Sequence, residues 1–294
     1  MRVGVLGLGH IGGSIALGMS GAIGWDADPE TLAAAAAAGV DTTTPVSSAD
    51  LIVVATPLAH THEQVAEVLA ASGPDGPTVT DVASVKGPVL EAAAAHPAFV
   101  SSHPMAGTEY SGWVAADPAL FTGAPWLVLV ADGADVRRIA DVCRLALALG
   151  ASPVPIHPDS HDRALATVSH LPHVLAAALT LQAEQHLPLA AGSLHGAARV
   201  AAGDPALPTA MVELNRDAIM RAIDHLQRRL ERFRDDEDPS RWFVSARAVW
   251  DRFGGRELVV VERPLTPTAL RAVGEIGGHI TAIGESTFTA EVPG

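Results

Sequence analysis

The segment Ser101-Ser102-His103-Pro104-Met105-Ala106-Gly107-Thr108-Glu109-Tyr110-Ser111-Gly112 sets a titratable ring ahead of a proline, then small residues, one glutamate and two glycines. A neutral imidazole can take a proton from an alcohol. Pro104 restrains His103 towards extended geometry, and Gly107 and Gly112 let the chain fold back closely. The apolar run Phe99 to Ser101 before it reads as a strand, so His103 is expected at the strand's carboxyl end, aimed into a crevice. The preceding strand, Thr78 to Asp81, leads into Asp81-Val82-Ala83-Ser84-Val85-Lys86-Gly87 and brings the Ser84 hydroxyl to the same edge. A hydroxyl within reach of an imidazole can fix its tautomer and touch a substrate alcohol. Further on, Ser169-His170-Leu171-Pro172-His173 puts two histidines three apart on one helix face. No carboxylate or thiolate set accompanies them at ligand spacing, so no metal site is expected. His60, His62, His157 and His161 read as surface histidines.

A second chemistry lies at the start of the chain. Val3-Gly4-Val5-Leu6-Gly7-Leu8-Gly9-His10-Ile11-Gly12 follows an apolar strand and opens a helix, and Asp26 falls about 20 residues beyond the first glycine. Gly7 allows the tight turn, Gly9 a close approach of pyrophosphate, and Gly12 close helix packing. Leu8, His10 and Ile11 complete the loop. Asp26 can accept from both ribose hydroxyls and would repel a 2′-phosphate, which favours NAD over NADP. Thr56 and Pro57, after the strand Leu51 to Ala55, are a second expected nucleotide contact.

These residues require an open parallel sheet to bring them to one edge. The first half alternates short β-rich runs (Arg2 to Leu6, Ile23 to Trp25, Leu51 to Ala55, Thr78 to Asp81, Phe99 to Ser101, Trp126 to Leu129) with helical patterns, the mark of βαβ units. From about Ser160 strands vanish, and Asp162 to Gln185, Ala206 to Arg234 and Pro239 to Phe253 read as long helices. The tail returns to a β-α-β-β pattern: Leu258 to Val261, Pro267 to Val273, His279 to Ile283 and Thr287 to Val292. Forty residues hold too little core to stand alone, so the tail is expected to dock on the helices or pair with its copy across a dimer. Leu214, Ile219, Ile223, Leu226 and Leu230 at helical spacing point to a homodimer through the helical half.

Composition narrows the class. The chain has 294 residues, 48% hydrophobic and 18% charged, with a formal net charge of −14, which argues against a nucleic-acid surface. A single cysteine, Cys143, lies in an apolar helical pattern and reads as a buried hydrophobe, which favours the cytoplasm. No export segment opens the chain, and no apolar run reads as long enough to span a bilayer.

The glycine loop, the DVASVKG and HPMAGTEYSG segments, SHLPH at Ser169 to His173, and Ala198-Arg199-Val200-Ala201 with Asp204-Pro205 occur in the order and spacing of the prephenate dehydrogenase family, which the chain resembles over about residues 1 to 250. The resemblance implies an α/β fold: a Rossmann NAD-binding domain (1–157), an all-helical substrate and dimerisation domain (158–254) and a tail (255–294) similar to the first half of an ACT-type regulatory domain. It implies NAD-dependent oxidative decarboxylation of prephenate to 4-hydroxyphenylpyruvate, on the route to tyrosine, with arogenate or 4-amino-4-deoxyprephenate as alternative substrates. His103 would be the general base, with Ser84 orienting it, while His173, Arg199 and Glu109 would hold the substrate. Pro208 and Gly196 depart from the family pattern, standing where relatives place an aromatic and an acidic residue. Tyrosine as a feedback inhibitor is implied where the regulatory domain is complete. A β-hydroxyacid dehydrogenase would share the architecture but rests on a lysine in the helical domain, and the helix from Asp162 has none.

Overall fold

The computed structural model describes residues 1–108, 110–254 and 257–294. Its first sheet is wholly parallel in the order β2-β1-β3-β4, built from β1 (Val3–Leu6), β2 (Ile23–Trp25), β3 (Leu51–Val54) and β4 (Thr78–Asp81). A second sheet joins β5 (Ser102–Pro104), β6 (Pro125–Leu129) and β7 (Ser152–Ile156), with β5 antiparallel and β7 parallel to β6. The two sheets continue one another through Ala98–Val100: Val79 N donates to Ala98 O at 2.8 Å and Val100 N to Val79 O at 2.9 Å.

Helices α1 (His10–Gly18), α2 (Pro29–Ala37), α3 (Leu58–Ser72), α4 (Gly87–Ala93) and α5 (Val136–Ala148) cover this sheet. Side chains alternate along a strand, so β3 serves two cores: Leu51 and Val53 pack with α1 and α5, Ile52 and Val54 with α3 and α4. Burial on both faces explains why β3 is a continuous apolar run. Cys143 is fully buried in the first core, and burial pushes its thiol up to about 12.

Two strand expectations change. The expected strand Phe99 to Ser101 makes only a bridge from Phe99 to Val79, and regular pairing starts at Ser102, so His103 sits within β5 rather than after it. The strand β7 was not expected because Pro153 and Pro155 interrupt its pattern. It pairs with β6 on one side only, so the missing proline N–H groups fall on the outer edge, where they cost no ladder bonds.

The helical half opens with α6 (Pro158–Leu165), a five-residue π turn over Ala166–His170, and α7 (Leu171–Gln182). Together they make a helix over Pro158–Gln182 that is long and apolar enough, by length and composition, to cross a membrane, contrary to the sequence reading. The polar residues at its start and the His170-Leu171-Pro172-His173 step concealed that run. Leu165, Ala166, Leu171 and Ala176 are buried, and the Ala166 and Leu171 side chains pack with Ala218, Ile219 and Ala222. Then come α8 (Gly192–Ala198), α9 (Ala206–Leu214), α10 (Arg216–Asp235) and α11 (Ser240–Gly254). The single helix expected from Ala206 to Arg234 breaks at Asn215 (φ −121°, ψ 30°), whose side chain is used elsewhere.

The tail folds as β8 (Leu258–Pro264), α12 (Pro267–Glu275), β9 (His279–Ile283) and β10 (Thr287–Pro293), an antiparallel sheet in the order β8-β10-β9. It docks on the nucleotide-binding half rather than on the helices, which was one of the two arrangements expected. Leu270, Val273, Ile280 and Phe288 join the core of α5 and β6. A Cβ on Gly274 would lie 1.7 Å from Pro155 O, so glycine lets α12 close on β7. Arg271 Nη2 pairs with Asp132 at 2.7 Å, and Arg144 Nη2 donates to Gly284 O at 3.2 Å. The blunt proline edge of β7 offers no N–H at Pro153 and Pro155 for a further strand, so apolar packing supplies the contact.

Candidate active site

The glycine loop has the shape that a dinucleotide requires. Gly7 has φ +90°, and a Cβ there would meet Ala55 O at 2.6 Å; a Cβ on Gly12 would meet Gly7 O at 1.9 Å. Around a Cβ on Gly9 nothing lies within 4 Å, which leaves open space above the first turn of α1. Asp26, just past β2, accepts from Leu8 N at 2.6 Å through Oδ2 and from Asp28 N at 2.9 Å through Oδ1. Each oxygen retains acceptor capacity for a ribose hydroxyl. The Leu8 side chain is fully buried in the core, so only its backbone borders the loop, while Ile11 packs partly on the same core. Two buried atoms on this edge have no hydrogen-bond partner among the described residues: His10 Nε2 and Thr56 Oγ1. Pro57 follows Thr56 and caps α3. An orphaned donor or acceptor costs free energy unless a ligand completes it, so these residues fit a bound dinucleotide.

The glycine-rich loop after β5 returns over α1. Gly112 has φ +76°, Asp117 N donates to Ser14 Oγ at 2.9 Å, and a Cβ on Gly13 would meet Ala116 Cβ at 2.8 Å. Burial holds the His10 imidazole below its ordinary range, against opposing contributions from Asp117 and the Tyr110 backbone. Glu109, the expected substrate contact in this loop, lies outside the described residues.

His103 is 8% exposed, and its Nδ1 lies 3.1 Å from Nε2 of His161. His161 is wholly buried, not a surface residue as its sequence position on α6 suggested. His161 Nδ1 in turn lies 2.8 Å from Asp162 Oδ1. The Asp162 carboxylate also accepts from Lys86 N and Gly87 N, both at 2.8 Å, which ties α6 to the loop after β4. Lys86 is wholly buried: its Nζ donates to Asp81 Oδ2 and to Ser102 O, both at 2.5 Å. Asp81 accepts further from Ser101 Oγ at 2.6 Å and Ala83 N at 3.0 Å. Burial first, then the charges of Lys86, His161 and His170, hold the His103 ring well below its ordinary value, so it is neutral at neutral pH. Burial lowers His161 against the opposing hydrogen bond to Asp162, and burial above all takes His170 to about 4.

Ser84 is not the hydrogen-bond partner of His103; His161 is. The Ser84 Oγ is buried with no partner among the described residues. On the helical side, Asn215 Nδ2 donates to Asp162 O at 2.8 Å and lies 3.1 Å from His170 Nδ1. His173, on α7, is half-buried, and burial and then the Arg199 charge lower its proton affinity, so those two expected residues are neighbours. The sequence reading missed His161, Asp162 and Asn215. The signal was present only as a His-Asp pair and one polar residue inside helical patterns, 58 residues or more from His103.

A glycine cradle with orphaned polar atoms, a buried histidine and a nearby arginine beside His173 suit transfer of a hydride and a proton from a small anionic substrate. The comparisons agree. The pattern of the prephenate dehydrogenase nucleotide-binding domain matches residues 18–154, and that of the prephenate dehydrogenase dimerization domain matches residues 157–236. The first match begins past the glycine loop, so the loop's reading rests on its geometry. A prephenate dehydrogenase of Bacillus subtilis is 32% identical over 271 residues, covering 82% of this chain and 73% of that protein. The Aquifex aeolicus prephenate dehydrogenase, solved with hydroxyphenyl propionate and NAD+, superposes with TM-score 0.76 at 25% identity over 86% of this chain and 98% of that one. The Synechocystis arogenate dehydrogenase superposes with TM-score 0.72, also at 25% identity, over 86% of this chain and 100% of that one. From its fold, its cradle and these matches together, the chain belongs to the prephenate dehydrogenase family.

Proposed function

We propose that the chain is an NAD-dependent prephenate dehydrogenase, converting prephenate to 4-hydroxyphenylpyruvate and CO2 for tyrosine synthesis. The observation that carries this reading is the buried His103, on the strand that runs on from Ala98–Val100 beside β4, in the same half of the chain as the glycine cradle, with burial and Lys86 holding its ring well below the ordinary value. NAD, when bound, supplies the hydride acceptor. Gly7, Gly9 and Gly12 give its phosphates close approach to the backbone, Asp26 accepts from its ribose, and Thr56 and His10 offer their unpartnered atoms to it. His103 accepts the C4 hydroxyl proton as the C4–H pair leaves. The unpartnered Ser84 Oγ serves the same hydroxyl or the nicotinamide side. His173 and Arg199 hold the substrate carboxylates, the guanidinium in a two-pronged contact. Breaking the bond from C1 to its carboxylate returns an electron pair to the ring and makes it aromatic, so the protein mainly positions and polarises.

The molecule acts as a homodimer through residues 158–254 in this reading. Leu179, Leu181, Leu187, Leu189, Phe243 and Val244 in this half are all exposed, apolar side chains that a dimer interface would cover. Location in the cytoplasm completes the proposal. NADH formation from prephenate, arogenate and the 4-amino-4-deoxy analogue in parallel tests it: fastest turnover of prephenate is expected, and turnover of none would overturn it.

A further inference from the structure

We propose that His161 and Asp162 are positioning residues that fix the tautomer of His103, so that the proton-accepting lone pair stands on Nε2. The inference rests on His103 being the base, and it deepens that reading by naming what prepares the base. Asp162 is an acceptor at both oxygens, holding Lys86 N and Gly87 N at 2.8 Å, so it is a carboxylate and its contact to His161 Nδ1 needs a proton on that nitrogen. Burial would raise this carboxyl, but the hydrogen bonds from His161, Lys86 and Gly87 outweigh it and hold the acid low. With Nδ1–H committed, neutral His161 presents Nε2 as an acceptor. His103 Nδ1, 3.1 Å away, must then donate. The chain Asp162, His161, His103 therefore has one direction, and its end is an unprotonated His103 Nε2.

This arrangement differs from what an isolated imidazole does, because the free ring favours the proton on Nε2. It also handles charge. When His103 takes a proton on Nε2, both of its nitrogens become donors, and the new positive charge is shared through His161 towards the Asp162 carboxylate. The other charged group against this chain, Lys86, is matched by Asp81 at 2.5 Å, while His170 stays neutral beside Asn215. The two positioning residues come from α6, at the start of the helical half, whereas His103 comes from β5 in the nucleotide-binding half. The base is prepared only when the two halves are docked.

Two variants and one spectrum test this. His161→Phe keeps the ring volume but removes the acceptor, and His161→Gln restores an oxygen near the lost Nε2. His161→Phe is expected to lose about 10²-fold in kcat with little change in KM for NAD, and His161→Gln to regain at least about 10-fold of that loss. Nitrogen-15 NMR of histidine-labelled protein, with the His103 signal assigned by its absence in His103→Asn, reads the tautomer without substrate. Wild type is expected with the proton on Nδ1 of His103, and His161→Phe with it on Nε2. A wild-type proton on Nε2, or full kcat in His161→Phe, would overturn the proposal. Failure of prephenate turnover in wild type would sink the functional reading while leaving the tautomer result intact.

Discussion

Lys86 is the chain's single lysine, and the structure buries it completely against Asp81. Replacing it with methionine keeps the stem's volume and removes the charge. Asp81 then keeps Ser101 Oγ and Ala83 N as donors but loses its cation, leaving an uncompensated carboxylate in the core, and Ser102 O loses its donor too. Breaking one partner of a buried pair costs about 3–5 kcal/mol. At about 2 °C per kcal/mol for a chain of this size, Lys86→Met should melt roughly 6–10 °C below wild type. Asp81→Asn together with Lys86→Met removes both charges and keeps the contacts to Ser101 and Ala83, so at least half of that loss should return. Differential scanning calorimetry of the three proteins reads the pattern. A second readout follows from the sign of the electrostatics. Lys86 helps to depress the proton affinity of His103, so without it the acid limb of the kcat profile should move to higher pH. A melting point within about 2 °C of wild type for the single variant would refute the argument.

Asp26→Asn should weaken NAD and improve NADP relative to it, because the charge opposing a 2′-phosphate is gone; wild-type preference for NADP, measured by initial rates with each cofactor, would count against the assigned ribose contact. Buried neutral histidines bind fewer protons folded than unfolded, so stability should fall as pH drops from 6.5 towards about 4, the window set by His170, and denaturant titrations across that range should show it. Removing residues 257–294 should lower the melting point, since Leu270, Ile280 and Phe288 leave the α5 core, while the dimer mass in sedimentation stays the same. A monomeric truncation would show instead that the tail carries the interface.

The sequence reached the parallel sheet and the tail because each is encoded locally, in strands whose apolar runs and turns need no partner to be recognised. Ile23 to Trp25 and Thr78 to Asp81 match the observed strands residue for residue. β7 escaped because its prolines signal against a strand, and only the pairing on one side makes them harmless. The docking of the tail escaped because the close approach of Gly274 to Pro155 is a tertiary fact. Ser84 and His103 drew attention as candidates through the loops that carry them. His161 was not, since a histidine on an amphipathic helix has no local mark that separates a solvated ring from one bonded to another histidine 58 residues away. The break at Asn215 is of the same kind: the helical pattern runs through it, and the hydrogen bonds to Asp162 and His170 that draw its side chain inward come from another helix.

The most direct test of the account is the rate of NADH formation from prephenate and NAD by wild type and by His103→Asn, measured from acid to neutral pH with equal cofactor occupancy. Wild-type kcat should be level through neutral pH and fall only in acid, below the ordinary histidine range, because burial and Lys86 keep the ring unprotonated. His103→Asn should bind NAD as wild type does and turn over about 10²-fold or more slowly at every pH, with no acid limb of its own. Equal turnover by the two proteins would contradict the assignment of His103 as the base.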